Sequence, residues 1–250
     1  MLLNRPEGVR VQDGLGHASF FPAAGGGGPI AFDEFDYAET SSSASTLAVT
    51  GVTVDAGDFL VALASVFNAS GSTMDVSDPT NGTWTVPTGS PVLPVADSQA
   101  HIQYFTNSAA LSAASVTFDP VGTSSDIDAV VCEISGAATS AFDQYVENTG
   151  TIAANSPATA TVTTGTLSQN NNLIFSVCTH TFSDRTFTED AAFTLIAEDE
   201  DNSSAQAFHS QRLTTPTSAT TAVTITIEIG DGINSDDAPW AIAAIVVKEG

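Results

Sequence analysis

Apart from its carboxylates, the chain holds few residues able to do acid–base, nucleophilic or metal chemistry. Its histidines are His17, His101, His180 and His209, and its two cysteines are Cys132 and Cys178. The histidines never fall at metal-ligand spacing, and only His180 and His209 are placed to meet across neighbouring strands. Cys132 alternates with Val130 and Ile134, whereas Cys178 alternates with Ser176 and His180. Two thiols on faces of such different character are expected to be free rather than bridged. Asp231, Asn234, Asp236 and Asp237 supply enough oxygen for a structural Ca2+ or Mg2+, although the ordered alternation of a recognised calcium loop is missing. Glu198-Asp199-Glu200-Asp201 reads as a solvated hairpin tip. No Gly-x-Ser-x-Gly, phosphate loop or Cys-His arrangement occurs. A glycosidase pair drawn from 29 acidic residues would be arbitrary. The glycosylation patterns at Asn68, Asn81 and Asn202 are what a Ser/Thr-rich chain produces by chance. No catalytic residue is assigned, and the expectation is a non-enzymatic protein.

The elements that would position these side chains are β-strands, and they occur twice. Phe32 to Gly136 recurs in diverged form as Phe142 to Gly250: Phe32-Asp33 matches Phe142-Asp143, Phe59-Leu60-Val61 matches Leu173-Ile174-Phe175, and Trp84-Thr85-Val86 matches Phe193-Thr194-Leu195. The copies close alike, Ala129 to Gly136 against Ala243 to Gly250, which sets Val131 in the place of Ile245. A period near one hundred residues means duplicated domains rather than a solenoid. Within each copy the apolar residues alternate, as in Phe59, Val61, Leu63 and Phe67 or Val223, Ile225, Ile227 and Ile229. Turn signals separate the runs, for example Asp78-Pro79-Thr80-Asn81-Gly82 and Asn170-Asn171-Asn172. No segment keeps a helical period. The expected fold is all-β: two tandem, internally duplicated antiparallel β-sandwiches over 32–136 and 137–250, with Trp84 and Trp240 in their cores.

Residues 1–31 read as an extended arm that ends in Gly25-Gly26-Gly27-Gly28-Pro29. Its candidate contact residues are Leu2, Leu3, Arg5, Arg10, Phe20 and Phe21. Arg5, Arg10, Glu7 and Asp13 sum to zero, so the chain's net charge of −24 sits on the body. That sign repels phosphate backbones and anionic headgroups, which argues against nucleic acid and membranes as partners. Met1-Leu2-Leu3 leads into Asn4, Arg5, Pro6 and Glu7 rather than an apolar run, so neither a signal peptide nor a transmembrane segment is expected. An acidic surface with Lys248 as its one lysine suits high copy number. It also suits a salty medium, where the screening length falls to about 3 Å at 1 M.

The order of Val52 to Val61, the Asp-Pro turn with Gly82-Thr83-Trp84-Thr85, Tyr104-Phe105, Val116-Thr117-Phe118 and Glu133-Ile134-Ser135-Gly136 resembles a jelly-roll-type module. Such modules are seen in structural proteins of tailed viruses and in some bacterial surface proteins. The resemblance covers roughly residues 45 to 250 and transfers no catalytic residues. It implies a virion component made in the host cytoplasm, and the near absence of lysine would suit a halophilic host: a capsid decoration or turret-type subunit that contacts other virion proteins through its arm and forms a homo-oligomer. The alternative is a tail-fibre or adhesin-like module that binds a glycan or receptor through its loop tips.

Overall fold

The computed structural model describes residues 28–67, 73–91, 98–121, 125–181, 186–199, 206–230 and 237–250, together with the backbone of 9–11. All regular structure among them is β. The arm contributes β1 (Val9–Val11). The first half comprises β2 (Ala31–Ala44), β3 (Leu47–Val54), β4 (Phe59–Phe67), β5 (Thr73–Asp78), β6 (Gly82–Thr83), β7 (Ser98–Phe105), β8 (Leu111–Val121) and β9 (Ser125–Ser135). The second comprises β10 (Ala137–Ile152), β11 (Ala158–Thr163), β12 (Asn172–Thr181), β13 (Phe187–Glu189), β14 (Phe193–Asp199), β15 (Gln206–Leu213), β16 (Thr224–Ile229) and β17 (Ala238–Glu249).

The first half folds into an inner sheet, β2-β9-β4-β7, and an outer sheet, β3-β8-β5-β6. The second folds into an inner sheet, β1-β14-β15-β12-β17-β10, and an outer sheet, β11-β16-β13. Adding eight to each strand number of the first half reproduces the order in the second, except that β6 joins the outer sheet whereas β14 joins the inner one. Every pairing is antiparallel. The order is compatible with an eight-stranded jelly roll in each half.

The two sandwiches do not stand apart. Their inner sheets pack face to face, so four layers enclose three cores. Phe59, Val61 and Leu63 of β4 join Leu173, Phe175 and Val177 of β12 in the central core. Leu60, Ala62, Ala64 and Val66 point the other way, into the first sandwich with Trp84 and Phe118. Ile174, Ile242, Val246 and Trp240 fill the second sandwich. Burial on both faces explains why β4 and β17 read as near-continuous apolar runs, a pattern usual for doubly covered sheets and unusual for antiparallel ones.

The central contacts are reciprocal. Phe32 of β2 lies under the Arg212 guanidinium of β15 at 4.4 Å, while Phe142 of β10 stacks on Tyr104 of β7 at 4.9 Å. By strand number β2 corresponds to β10 and β15 to β7, so each half gives the other the same kind of contact, as the subunits of an isologous dimer do. The halves are joined through Gly136 alone, at φ +66, where a β-carbon would lie 2.5 Å from the Pro29 carbonyl oxygen.

The register corrects one expected equivalence. Val61 pairs with Cys132, and Phe175 pairs with Ile245. Cys132, not Val131, therefore occupies the place of Ile245. A slip of one residue exchanges the two faces of a strand, so Val131 points into the first sandwich.

Candidate functional site

The densest group of potential ligands lies on the seam between the halves. Glu39 of β2 pairs with Asp128 of β9, which pairs in turn with Ser65 of β4. Side chains at paired positions share a face, so this row points at the second half. There Asp199, the last residue of β14, completes a trio of carboxylates with oxygens within 4.8 Å of one another. Tyr37, two residues before Glu39, stacks on Phe208 of β15 with ring centroids 6.2 Å apart. Its hydroxyl donates to Glu39 Oε2 at 2.7 Å and lies 3.2 Å from Asp128 Oδ1. Ser65 Oγ donates to Asp128 Oδ2 at 3.3 Å.

Asp128 and Asp199 are buried and Glu39 is half-buried. Burial, then the charge of Asp128, raises the Tyr37 pKa far above its ordinary value, so the hydroxyl stays a donor. The Tyr37 and Ser65 hydroxyls donate into a cluster of three carboxylates that repel one another, and a cation would offset that repulsion. An all-oxygen set suits a hard cation such as Ca2+ or Mg2+, with water completing its shell on the Glu39 side.

The sequence motifs are distributed otherwise. Of the expected calcium loop, Asp231, Asn234 and Asp236 lie outside the described residues, and Asp237 is exposed, its Oδ1 accepting from Ala154 N at 2.9 Å. Of the arm residues, Leu2, Leu3, Arg5, Phe20 and Phe21 also lie outside, and Arg10 is placed in β1 by its backbone only. Of the acidic run expected at a solvated tip, Glu198 and Asp199 are instead 1% and 8% exposed within β14, and Glu200 and Asp201 lie outside the described residues. Both cysteines are free and buried, and burial pushes both thiols well above their ordinary range, which keeps them protonated.

His180 and His209 both pack on Phe187, with ring centroids 4.8 and 5.2 Å from its own. His209 Nδ1 lies 3.0 Å from Glu198 Oε2, a fully buried pair. No metal-ligand group of three forms around them among the described residues.

The register also uncovers a repeated motif that sequence reading missed. Tyr104 lies opposite Val61 as Arg212 lies opposite Phe175, so His101-Ile102-Gln103 and His209-Ser210-Gln211 occupy like positions on β7 and β15. Both glutamines tie the inner sheet to the outer. Gln103 Oε1 accepts from Val76 N at 3.1 Å and its Nε2 donates to Met74 O. Gln211 Oε1 accepts from Asp190 N at 3.2 Å and its Nε2 donates to Thr226 O at 3.3 Å. The visible signal was the tripeptide His-x-Gln, which occurs twice. For the seam the signal was Asp128, a charge inside the run Ile127-Asp128-Ala129-Val130.

No protein-family model matches the chain, and no curated protein matches it either. No helix among the described residues is long and apolar enough to cross a membrane.

Proposed function

We propose that this protein is a non-enzymatic structural subunit of a virus particle, a capsid decoration or turret-type protein attached through its N-terminal arm. The observation that carries the reading is β1. It precedes the first half in sequence yet adds itself to the rim of the second half's inner sheet, which is how an arm attaches a β-protein to a neighbour. Other features support it. Four stacked layers make a stiff body, and the outer sheets show solvent mainly Ser and Thr, as at Thr50, Ser112, Ser115, Thr163 and Thr224. The strongly negative charge keeps densely arrayed copies soluble. The experiment is deletion of residues 1–28 followed by measurement of occupancy on purified particles. A folded truncation that no longer incorporates is the expected outcome, and incorporation at wild-type occupancy refutes the attachment.

A further inference from the structure

We infer that the outer edge of β14 is an acceptor strip for the arm of a second copy, so that neighbouring chains exchange β1. The inference rests on the structural-subunit reading and specifies how its arm is used. The first observation is the one departure from matching strand orders. In the first half β6 pairs with β5 of the outer sheet through Ser77–Thr83 and Asp78–Gly82, and the chain then makes a single bridge to the inner sheet, Thr85–Tyr104. In the second half β14 lies wholly beside β15, which gives the inner sheet an additional edge. Such an edge invites another strand.

The second observation is the fit of the arm to that edge. Val9, Arg10 and Val11 pair with Asp199, Glu198 and Ala197, past a bulge between Leu195 and Ala197, and among the described residues no strand pairs with the outer edge of Phe193 to Ile196. Charge agrees with this placement. Of the five cationic residues in the chain two, Arg5 and Arg10, are in the arm, and the strip ends in the acidic pair Glu198-Asp199. A neighbour's acidic body is repelled from this strip, whereas its neutral arm is not.

The third observation is reach. Nineteen residues, 12–30, separate β1 from β2. Fully extended they span on the order of 60 Å, more than a body of this size requires for a strand to cross to the next copy. The ladder bonds of the three described residues of β1 are few against so long a tether, which favours exchange of the pairing between chains. Packing copies on a particle raises the local concentration of neighbouring arms and favours exchange.

The test uses the full chain with Val9→Cys and Asp199→Cys, separately and together. Paired strand positions lie at Cα separations that a disulfide spans, and the native thiols are buried. Mixed single variants, oxidised near 1 M salt, are expected to give a covalent dimer whose yield rises with protein concentration. The double variant is expected to give a ladder of oligomers. A double variant that closes only on itself at every concentration overturns exchange, because β1 is then an internal strap. Absence of any crosslink overturns the acceptor strip. Particle occupancy of the 1–28 deletion is measured alongside: lost occupancy with no exchange crosslink leaves the structural reading standing and removes this inference alone.

Discussion

At the scale of single residues, buried polar groups set how the protein responds to pH and ions. Glu133 is 9% exposed, and burial, aided by its neighbour Asp58, pushes its carboxyl up to about 8, while Asp55 N donates to it at 2.7 Å. A folded pKa above the unfolded one means stability complete below about 4.5 and lost progressively as pH rises to about 8. His101 acts in the opposite sense. Burial lowers its pKa to about 3, so stability falls as pH drops from about 6.5 toward 3. The two slopes oppose each other between about 4.5 and 6.5, and the loss on the alkaline side belongs to Glu133 with its neighbour Asp58, whose carboxyl burial also raises. Glu133→Gln should abolish the loss of stability between pH 6.5 and 8 in denaturant titrations; an unchanged slope would assign it elsewhere. Asp78 makes the opposite case for a carboxylate. Burial raises its pKa, but bonds from Asn81 N, Trp84 Nε1 and Thr80 N outweigh that and hold it below the ordinary range. Asp78→Ala should cost about 1–3 kcal/mol at neutral pH, visible as a lower denaturation midpoint. At the seam, Ca2+ should raise the melting temperature of the wild type and not of Asp128→Asn. An equal rise in both would show that the trio Glu39, Asp128 and Asp199 does not hold the ion.

At the scale of elements, fit between strands decides what a substitution does. Gly150 pairs with Trp240, whose indole lies where a β-carbon would stand, 2.4 Å from Cζ2. An aromatic covering a strand glycine replaces the packing that the glycine lacks. Gly150→Ala must displace the ring and should destabilise by about 1–3 kcal/mol, with a change in tryptophan fluorescence. Losses of similar size are expected from Gln103→Ala and Gln211→Ala, which detach an outer sheet from an inner one. Much of this level was legible in the chain. Strand–turn alternation marked the elements, and the matched segments anticipated the repeated strand order, because period-2 patterns and turn residues act locally. Three features were hidden because they depend on partners distant in sequence. The even match of Ala129–Gly136 to Ala243–Gly250 concealed a one-residue slip, since Cys132 and Val131 are both apolar enough for either face. The apolar runs of β4 and β17 concealed their second buried face. The site was hidden most completely: Tyr37, Glu39, Asp128 and Asp199 come from three strands and meet only because the inner sheets stack.

At the scale of the whole molecule, the shared central core makes the halves one structural unit. Residues 137–250 produced alone would expose Phe175, Val177, Ile245 and Val247, and should self-associate. The full chain should unfold in one transition with agreeing calorimetric and van't Hoff enthalpies; two resolved transitions would mean that the core is a weak contact. Association of full chains should tighten as salt rises, because screening shortens the reach of the −24 charge while apolar contacts persist. Sedimentation across a salt series, with an uncharged osmolyte as control, checks this, and weaker association at high salt would mean that specific ion pairs dominate. The reciprocal packing through Gly136 has a further consequence during synthesis. The first half can close when β9 leaves the ribosome, yet its inner face stays bare until the strands of the second half have been translated. Two nascent chains on one message can satisfy that face with each other's second halves, since either pairing offers the same contacts. The short joint at Gly136 is what keeps the correct second half nearest, and a lengthened joint should convert monomers into swapped pairs during expression.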